Sequence, residues 1–184
     1  MPKLGSMPQP GGRIWLRALS RVVWLVALAT LALPAGAVTL AREGRAPATL
    51  FLAVGATAAE ETGAQELAAY LSQVTGATFT VTREGQGTAR GASIYVGPTR
   101  FAAGQGIDCT KLGPEEWVMR TVGDSLILAG GRPRGTLYAV YRFLEDVIGV
   151  HWWNAYEETV PKQPTLEVTG LDRRGKPVFR YRDI

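Results

Sequence analysis

The sequence predicts an α/β (α+β) domain of two layers, in which a mixed sheet is covered by two main helices. Two segments have helical periodicity, near residues 57–75 and 135–148, and the short apolar or alternating runs between them have strand length. The two-residue connection Gly123-Asp124 requires an antiparallel pair. The helical connections favour parallel neighbours, so the sheet is expected to be mixed.

The first half of the predicted domain is a strand, a helix and two more strands. The run Ala46–Gly55 is nearly continuous in apolar residues, as in a strand covered on both faces. Thr57 and Glu60 have the spacing of a capping box at the start of the helix, and Gly76 stands at its end. The two further strands are predicted at residues 77–84 and 93–98.

The second half begins with residues 99–114, a glycine-containing segment predicted as surface loop or a short helix. Residues 116–122 and 125–130 then form a hairpin, and the order Gly-Asp in its turn suits type II′. Short strands are also expected at 150–153 and 165–168.

The stretch from Gly130 to Trp153 is central, because it contains a glycine turn and a helix with one broad apolar face. Such a face needs a sheet to cover it. Pro133 is expected near the helix start, and Gly149 just past its end. The apolar positions are Leu137, Val140, Tyr141, Leu144 and Ile148.

The first 37 residues have the features of a signal peptide. Basic residues precede the apolar run Val22–Leu33, and Ala35-Gly36-Ala37 has the small-x-small pattern of a cleavage site. An uncleaved membrane anchor is the alternative, but a span needs roughly 20 apolar residues. We expect a secreted or extracytoplasmic protein (periplasm or cell surface) that meets the membrane only through this export signal.

The mature part carries no net formal charge. Four of the 20 Lys+Arg and none of the 16 Asp+Glu lie in residues 1–37, which leaves 16 of each sign. No nucleic-acid partner is therefore expected. With Cys109 and His151 as the single residues of their types, neither an internal disulfide nor a closed metal site is expected, and no cofactor is predicted.

Several pieces together resemble the N-terminal accessory domain that precedes the catalytic barrel in glycoside hydrolases. They are ELAAYLSQVTGATFTV, IYVGPT, GDSLILAGGRPRGTLYAVYRFLEDVIGVHWW and the following ETVP. The resemblance is to the second, non-catalytic domain of β-N-acetylhexosaminidases and to the N-terminal domain of α-glucuronidases, over residues 46–168. It implies a domain that packs beside a barrel, with the carboxylates that cleave the glycosidic bond in that barrel.

The C-terminal piece PVFRYRD (177–183) is similar to the proline-arginine-phenylalanine-x-x-arginine-glycine stretch that opens the hexosaminidase barrel. This similarity implies that Arg182 binds substrate. Val178 and Asp183 depart from the pattern. We therefore expect a domain at 38–169, and a linker plus the first strand of a barrel that this chain lacks at 170–184. A frayed tail is the alternative.

The GGRPRG turn is a candidate anion site, because backbone amides at a helix start attract anions. It lacks the P-loop and dinucleotide spacings, so a tight turn that needs glycine dihedrals is the simpler interpretation. Arg132 and Arg134 are candidate contacts to a neighbouring domain.

No catalytic residue is predicted in this chain. Glycoside hydrolysis needs two facing carboxyl groups, whereas the adjacent glutamates at 115–116 and 157–158 point to opposite faces if extended. The pair at 60–61 suits the first turn of a helix. His151 has no nucleophile at a recognisable spacing.

Trp152 and Trp153 are the remaining candidates, because adjacent strand residues face opposite sides and one of the two must face outward. Contact with the barrel and stacking against carbohydrate are both possible roles of the outward ring.

The leading hypothesis is a non-catalytic N-terminal domain of a secreted carbohydrate-active hydrolase. The alternative is a stand-alone carbohydrate-binding module that uses Trp152 or Trp153.

Overall fold

The computed structural model describes residues 37–88 and 91–178. Most of the predicted signal peptide and the predicted substrate-binding Arg182 lie outside these residues. The strands are β1 (Val38–Ala41), β2 (Thr49–Leu52), β3 (Val81–Arg83), β4 (Ser93–Val96), β5 (Trp117–Val122), β6 (Ser125–Gly130), β7 (His151–Asn154), β8 (Glu157–Thr159), β9 (Leu166–Val168) and β10 (Asp172–Gly175). The helices are α1 (Ala58–Thr75), α2 (Arg100–Gly104) and α3 (Gly135–Phe143), with a 3-10 turn at Cys109–Lys111 and a π-helical turn at Leu144–Ile148.

The main sheet has six strands in the order β10-β5-β6-β4-β2-β3. Strands β3, β2, β4 and β6 are parallel, whereas β5 runs antiparallel to both β6 and β10. This confirms the predicted α/β (α+β) class and the mixed sheet. The hairpin β5–β6 has the predicted turn: Gly123 has a φ of 54°, and among the described residues the non-glycine with positive φ is Glu43, so Asp124 keeps the negative φ of type II′.

Helix α1 begins and ends where its sequence predicts. The Thr57 N–H donates to Glu60 Oε2 at 2.7 Å, and the Glu60 N–H donates to Thr57 Oγ1 at 3.4 Å, which completes the capping box. Gly76 closes the helix with a φ of 75°. Two orphan donors at the first turn are thereby satisfied by local side chains.

Helix α3 begins at Gly135, so Pro133 lies near the helix start as predicted, two residues before it. The segment before it first closes a turn, in which the Gly135 N–H donates to the Gly131 carbonyl at 2.7 Å. Pro133 lies inside that turn, and helical backbone starts at Gly135. Gly149 ends the helical stretch with a φ of 88°, as predicted.

Helices α1 and α3 cover one face of the sheet. Their buried side chains, such as Leu67, Leu71 and Val140, form the large core with Leu50 and Ile94 of the parallel strands. The opposite face is covered by the segment predicted as loop or short helix. Its buried residues Ala102, Ile107 and Cys109 pack on Val118, Ile127 and Ala129 of β5 and β6.

Three strand pairings at the periphery of the domain were not predicted from the sequence. Strand β1 pairs with β9, and β7 with β8, as separate two-stranded sheets. Residues Asp172–Gly175, expected in a linker, extend the main sheet as β10 beside β5. An ion pair between Asp172 Oδ1 and Arg120 Nε at 2.9 Å supports this edge. Over the described part of the chain, no helix has the length and apolarity of a membrane span.

Candidate functional site

The carboxyl edge of the parallel strands is the place where open α/β sheets bind ligands. Here the GGRPRG loop leaves β6 at that edge. Its glycines do not have the positive φ expected of them. Glycine is required here because there is no room for a side chain. A Cβ on Gly131 would lie 2.0 Å from the Gly113 carbonyl oxygen, and one on Gly130 would lie 2.2 Å from the Gly135 carbonyl carbon.

Arg132 occupies this edge of the sheet. Its Nε and Nη2 donate to the two carboxylate oxygens of Glu60 at 3.0 and 3.1 Å, and Nη2 also donates to the Gly55 carbonyl at 2.7 Å. Glu60 is 1% exposed, whereas half of the arginine side chain remains in water. The paired carboxylate raises the pKa of Arg132, so the charge is fixed. The guanidinium therefore joins the loops that follow β6 and β2.

The second arginine of the loop is also engaged within the domain. Arg134 Nη2 lies 3.0 Å from Glu115 Oε1, which in addition accepts from the Tyr138 hydroxyl at 3.3 Å. Contact of Arg132 and Arg134 with a neighbouring domain stays a prediction, since both side chains keep an exposed portion.

The adjacent glutamates separate onto different partners. Glu115 binds Arg134, whereas Glu116 accepts from Arg174 Nε at 2.7 Å and from the Gly113 N–H at 2.9 Å. These two donors, the backbone N–H first, lower the pKa of the Glu116 carboxyl. Such bonds give both carboxylates a role in joining elements of the fold.

The other two glutamate pairs are divided in the same way. Glu61 binds Arg83 while Glu60 binds Arg132. Glu158 accepts from the Tyr70 hydroxyl at 2.7 Å, and Glu157 Oε2 lies 3.4 Å from Asn154 Nδ2. The prediction that the chain holds no catalytic pair stays a prediction.

Trp152 anchors the β7–β8 hairpin to the helices. Its Nε1 donates to the Tyr70 hydroxyl at 2.8 Å, and its ring makes edge contacts with Tyr70 and Tyr141 at centroid distances of 5.4 and 5.3 Å. Burial is the main cause that raises the pKa of Tyr70. This half-buried tryptophan fixes the position of the hairpin.

Trp153 faces the other way, and 63% of it is exposed. It lies at an irregularity of the pairing between Trp152 and Asn154. Its Nε1 donates to Thr159 Oγ1 at 2.9 Å, and its ring lies 5.5 Å from the exposed His151 ring. The two tryptophans therefore divide into an inner anchor and an outer platform, as alternation along a strand predicts.

Cys109 is buried beneath strands β5 and β6, whereas His151 is exposed on β7. Cys109 is a buried free thiol whose pKa is raised chiefly by burial. Within residues 37–88 and 91–178, no group of three His, Cys, Asp or Glu side chains is placed to hold a metal ion.

An open groove of about 340 Å³ lies beside the C-terminal end of the described chain. Trp117 and Tyr141 form apolar walls, and Pro177 lies at its border. Gly175 is required here, because a Cβ at this position would lie 2.4 Å from Trp117 Cζ2. The neighbouring Val178 is 90% exposed.

Comparison with known proteins identifies the family to which this arrangement belongs. Residues 37–143, more than half of the chain, match the family model described as the N-terminus of glycosyl hydrolase family 67. The chain belongs to the glycosyl hydrolase family 67 N-terminus family. This confirms an accessory N-terminal domain of the α-glucuronidase type, whereas the likeness to hexosaminidases stays a prediction.

A solved structure similar to this family 67 N-terminal domain is described as a novel family GH115 4-O-methyl-alpha-glucuronidase with specificity for decorated arabinogalactans. It has 22% sequence identity and a TM-score of 0.48, over 70% of this chain and 17% of that chain. The family 67 domain therefore spans a small part of that enzyme's length. No match was found among the curated proteins.

The sequence did not indicate which partners the arginines of the family 67 domain would take. Arg132 and Glu60 are 72 positions apart, and Arg174 and Glu116 are 58 apart. The capping-box spacing identified Glu60 as a helix-start residue but gave no signal for the arginine. The different roles of Trp152 and Trp153 were indicated by strand alternation, although not which of the two was the inner one.

Proposed function

We propose that the family 67 N-terminal domain is the non-catalytic part of a secreted carbohydrate-active hydrolase and packs against a catalytic barrel encoded after it. The match of residues 37–143 to the family carries this proposal, because an accessory N-terminal domain implies a catalytic partner. The internal pairing of the neighbouring glutamates supports it, since these carboxylates already bind basic or hydroxyl groups of the same domain.

The groove at the C-terminal end of the described chain supports a barrel on that side. Trp117 and Tyr141 offer apolar surface there, and Val178 leaves the domain with its side chain in water. Aromatic residues are enriched at the cores of protein interfaces. Because the chain itself passes this groove, a domain that follows Val178 is tethered close to it.

Secretion is a separate component of the proposal. It rests on the basic lead-in, on the apolar run Val22–Leu33 and on the small residues at Ala35 and Ala37. N-terminal sequencing of the exported protein tests it, and a start at Val38 is the expected result.

The packing proposal is tested with the complete hydrolase that the same reading frame encodes. A version without residues 38–169 is expected to unfold several degrees lower, because an interface within a chain buries roughly 600–1,500 Å². Sugar release is expected from the complete hydrolase and not from the 184-residue chain. An unchanged Tm and unchanged activity after the deletion would exclude a bracing role.

A single exposed residue gives a finer test of where the barrel lies. Val178→Asp is expected to leave the Tm of the 184-residue chain unchanged, since the side chain is 90% exposed. In the complete hydrolase the same change places a charge in the proposed interface and is expected to lower the Tm. Val54→Asp is the matched control, because Val54 is also an exposed valine, at 59%, and it follows β2, which β6 and β4 separate from the groove strand β5.

A further inference from the structure

The outer face of the β7–β8 hairpin, formed by His151, Trp153 and Thr159, presents an aromatic ring to solvent. Among the described residues, Val54, Trp153, Tyr156 and Val178 are the large apolar side chains that are exposed. Two of these four therefore belong to this one short hairpin. Tryptophan and tyrosine are enriched at binding surfaces, because each ring offers a large apolar face beside a polar group.

The ring of Trp153 is held in one orientation. Its Nε1 donates to Thr159 Oγ1 across the hairpin, and the His151 ring lies beside it with an angle of 33° between the planes. The indole N–H is thus already satisfied, which leaves the apolar ring face as the free binding element. Trp153 also lies at the pairing irregularity between Trp152 and Asn154, and β-bulges are over-represented next to functional sites.

The hairpin behind the ring is rigidly attached. Trp152 donates to Tyr70, and the Tyr70 hydroxyl donates to Glu158 on the neighbouring strand. These two hydrogen bonds connect both strands of the hairpin to helix α1. A platform fixed before binding loses little conformational entropy when a ligand arrives.

The surroundings of Trp153 fit a small polar ligand better than a protein domain. Asn154, Glu157 and Thr159 beside it are exposed and polar. A stable protein interface needs about 800 Å² from each partner around a contiguous apolar core. One or two rings bordered by carboxylate, amide and hydroxyl groups instead match a pyranose, whose C–H face is apolar and whose rim carries hydroxyls.

We propose that this outer face binds a neutral pyranose unit of a polysaccharide, which stacks on Trp153 and directs its hydroxyls to the neighbouring polar groups. The Glu157 carboxylate lies on the same face of the hairpin as Thr159, so a negatively charged uronate is disfavoured there. The choice of ligand class rests on the proposed role in a carbohydrate-active hydrolase. The site is additional to that role, because it lets the domain hold neutral polysaccharide near the enzyme.

The test is calorimetric titration of the exported chain with neutral xylo- and chitin-derived oligosaccharides up to roughly 10 mM, a range that detects weak binding. An oligosaccharide of equal length that carries glucuronate is the acidic comparison. We expect the neutral ligands to bind and the acidic one to bind more weakly. Glu157→Gln is expected to reduce the difference in affinity between the neutral and the acidic ligand, since it removes the repelling carboxylate of this face.

Trp153→Ala is expected to lower the affinity for neutral ligands at least about tenfold, and Trp153→Phe, which keeps a ring, by less. Val54→Ala removes an exposed apolar group elsewhere and is expected to have no effect. Circular dichroism and the Tm of each variant show whether the hairpin is intact. Trp153→Phe keeps the test decisive if the alanine variant is unfolded.

Absence of binding by the wild-type chain, unchanged affinity of a folded Trp153→Ala, or preference for the acidic ligand would each overturn the proposal. A Trp153→Ala change that lowers the Tm of the complete hydrolase but not that of the 184-residue chain would instead assign the ring to the barrel interface. The deletion of residues 38–169 tests whether the domain stabilises the barrel, and its result does not depend on Trp153. Failure of the packing proposal can therefore be told apart from failure of the pyranose-binding proposal.

Discussion

Arg132 binds Glu60 through two parallel hydrogen bonds, of 3.0 and 3.1 Å, across 72 residues of sequence. The carboxylate belongs to the capping box of α1, and the guanidinium belongs to the turn that leads into α3. One ion pair therefore joins the starts of both helices that cover the sheet. It occupies the carboxyl edge, where other α/β folds place their ligands.

Removal of the Arg132 guanidinium is expected to destabilise the domain. Arg132→Ala leaves the 1%-exposed Glu60 without its charged partner, and we expect a loss of about 1–3 kcal/mol, limited by the half-exposed arginine. Arg132→Lys keeps the charge but not the geometry of two parallel hydrogen bonds, so its free energy of unfolding should lie between those of the wild type and Arg132→Ala. Urea unfolding measures these differences.

The control for this prediction is Arg42→Ala, because Arg42 and Glu167 form an exposed pair at 3.6 Å. Such pairs contribute less than about 1 kcal/mol. Equal losses for Arg42→Ala and Arg132→Ala would contradict a special role for the bond between the two helix starts.

Gly131 is expected to tolerate no side chain. A Cβ there would lie 2.0 Å from the Gly113 carbonyl oxygen and 2.6 Å from that of Leu112, both backbone atoms. Gly131→Ala should therefore cost more than about 3 kcal/mol or prevent folding. Gly104→Ala, at a helical position with no atom within 4 Å of its Cβ, should be neutral or stabilise by up to about 1 kcal/mol. Thermal unfolding compares the two, and equal Tm values would refute the steric argument.

Glu43 is expected to be a site where stability can be gained. It has a φ of 50° in the two-residue turn between Arg42 and Arg45, and the following Gly44 has a φ of 72°, which is the type I′ pattern. Asparagine adopts this conformation more readily than glutamate, so Glu43→Asn should raise the free energy of unfolding by about 0.5–1 kcal/mol. Glu43→Gln keeps the backbone strain and should leave the value unchanged; a gain equal to that of asparagine would assign the effect to charge.

Glu116 is expected to contribute an acid-sensitive part of stability. Its pKa is lowered from the ordinary value of 4.5, first by the Gly113 N–H and then by Arg174. The contribution is therefore fully present above pH 4.5 and is lost as the pH falls through the lowered pKa of the native state. The difference in unfolding free energy between wild type and Glu116→Gln should shrink below pH 4.5, and a difference that grows in acid would show the sign to be wrong.

Tyr70 is expected to titrate above its ordinary pKa of 10.0, because burial and the Glu158 carboxylate both disfavour the phenolate. Its stabilising effect is present below pH 10 and is lost as the pH rises through the raised pKa. Ultraviolet absorbance should show a late-titrating tyrosine that disappears in Tyr70→Phe. That variant also removes the acceptor of the Trp152 N–H and should cost about 1 kcal/mol.

The sequence determined the features of this domain that depend on neighbouring residues. The capping box of Thr57 and Glu60, the stop at Gly76 and the turn at Gly123 form bonds or dihedrals within a few positions, so their spacing was sufficient. Periodicity identified the apolar faces of α1 and α3 because burial of such faces is imposed on any sheet-covering helix.

Only the tertiary structure decided which distant groups meet. The order of the strands brings Arg132 to Glu60, places β10 beside β5, and sets Gly131 against the Gly113 carbonyl, so that glycine is needed there for space and not for dihedral freedom. It also turned Trp152 inward to Tyr70 and left Trp153 in water. The physical reason is that neighbouring residues determine the local backbone conformation. A contact between distant segments depends instead on how all the strands and helices pack together.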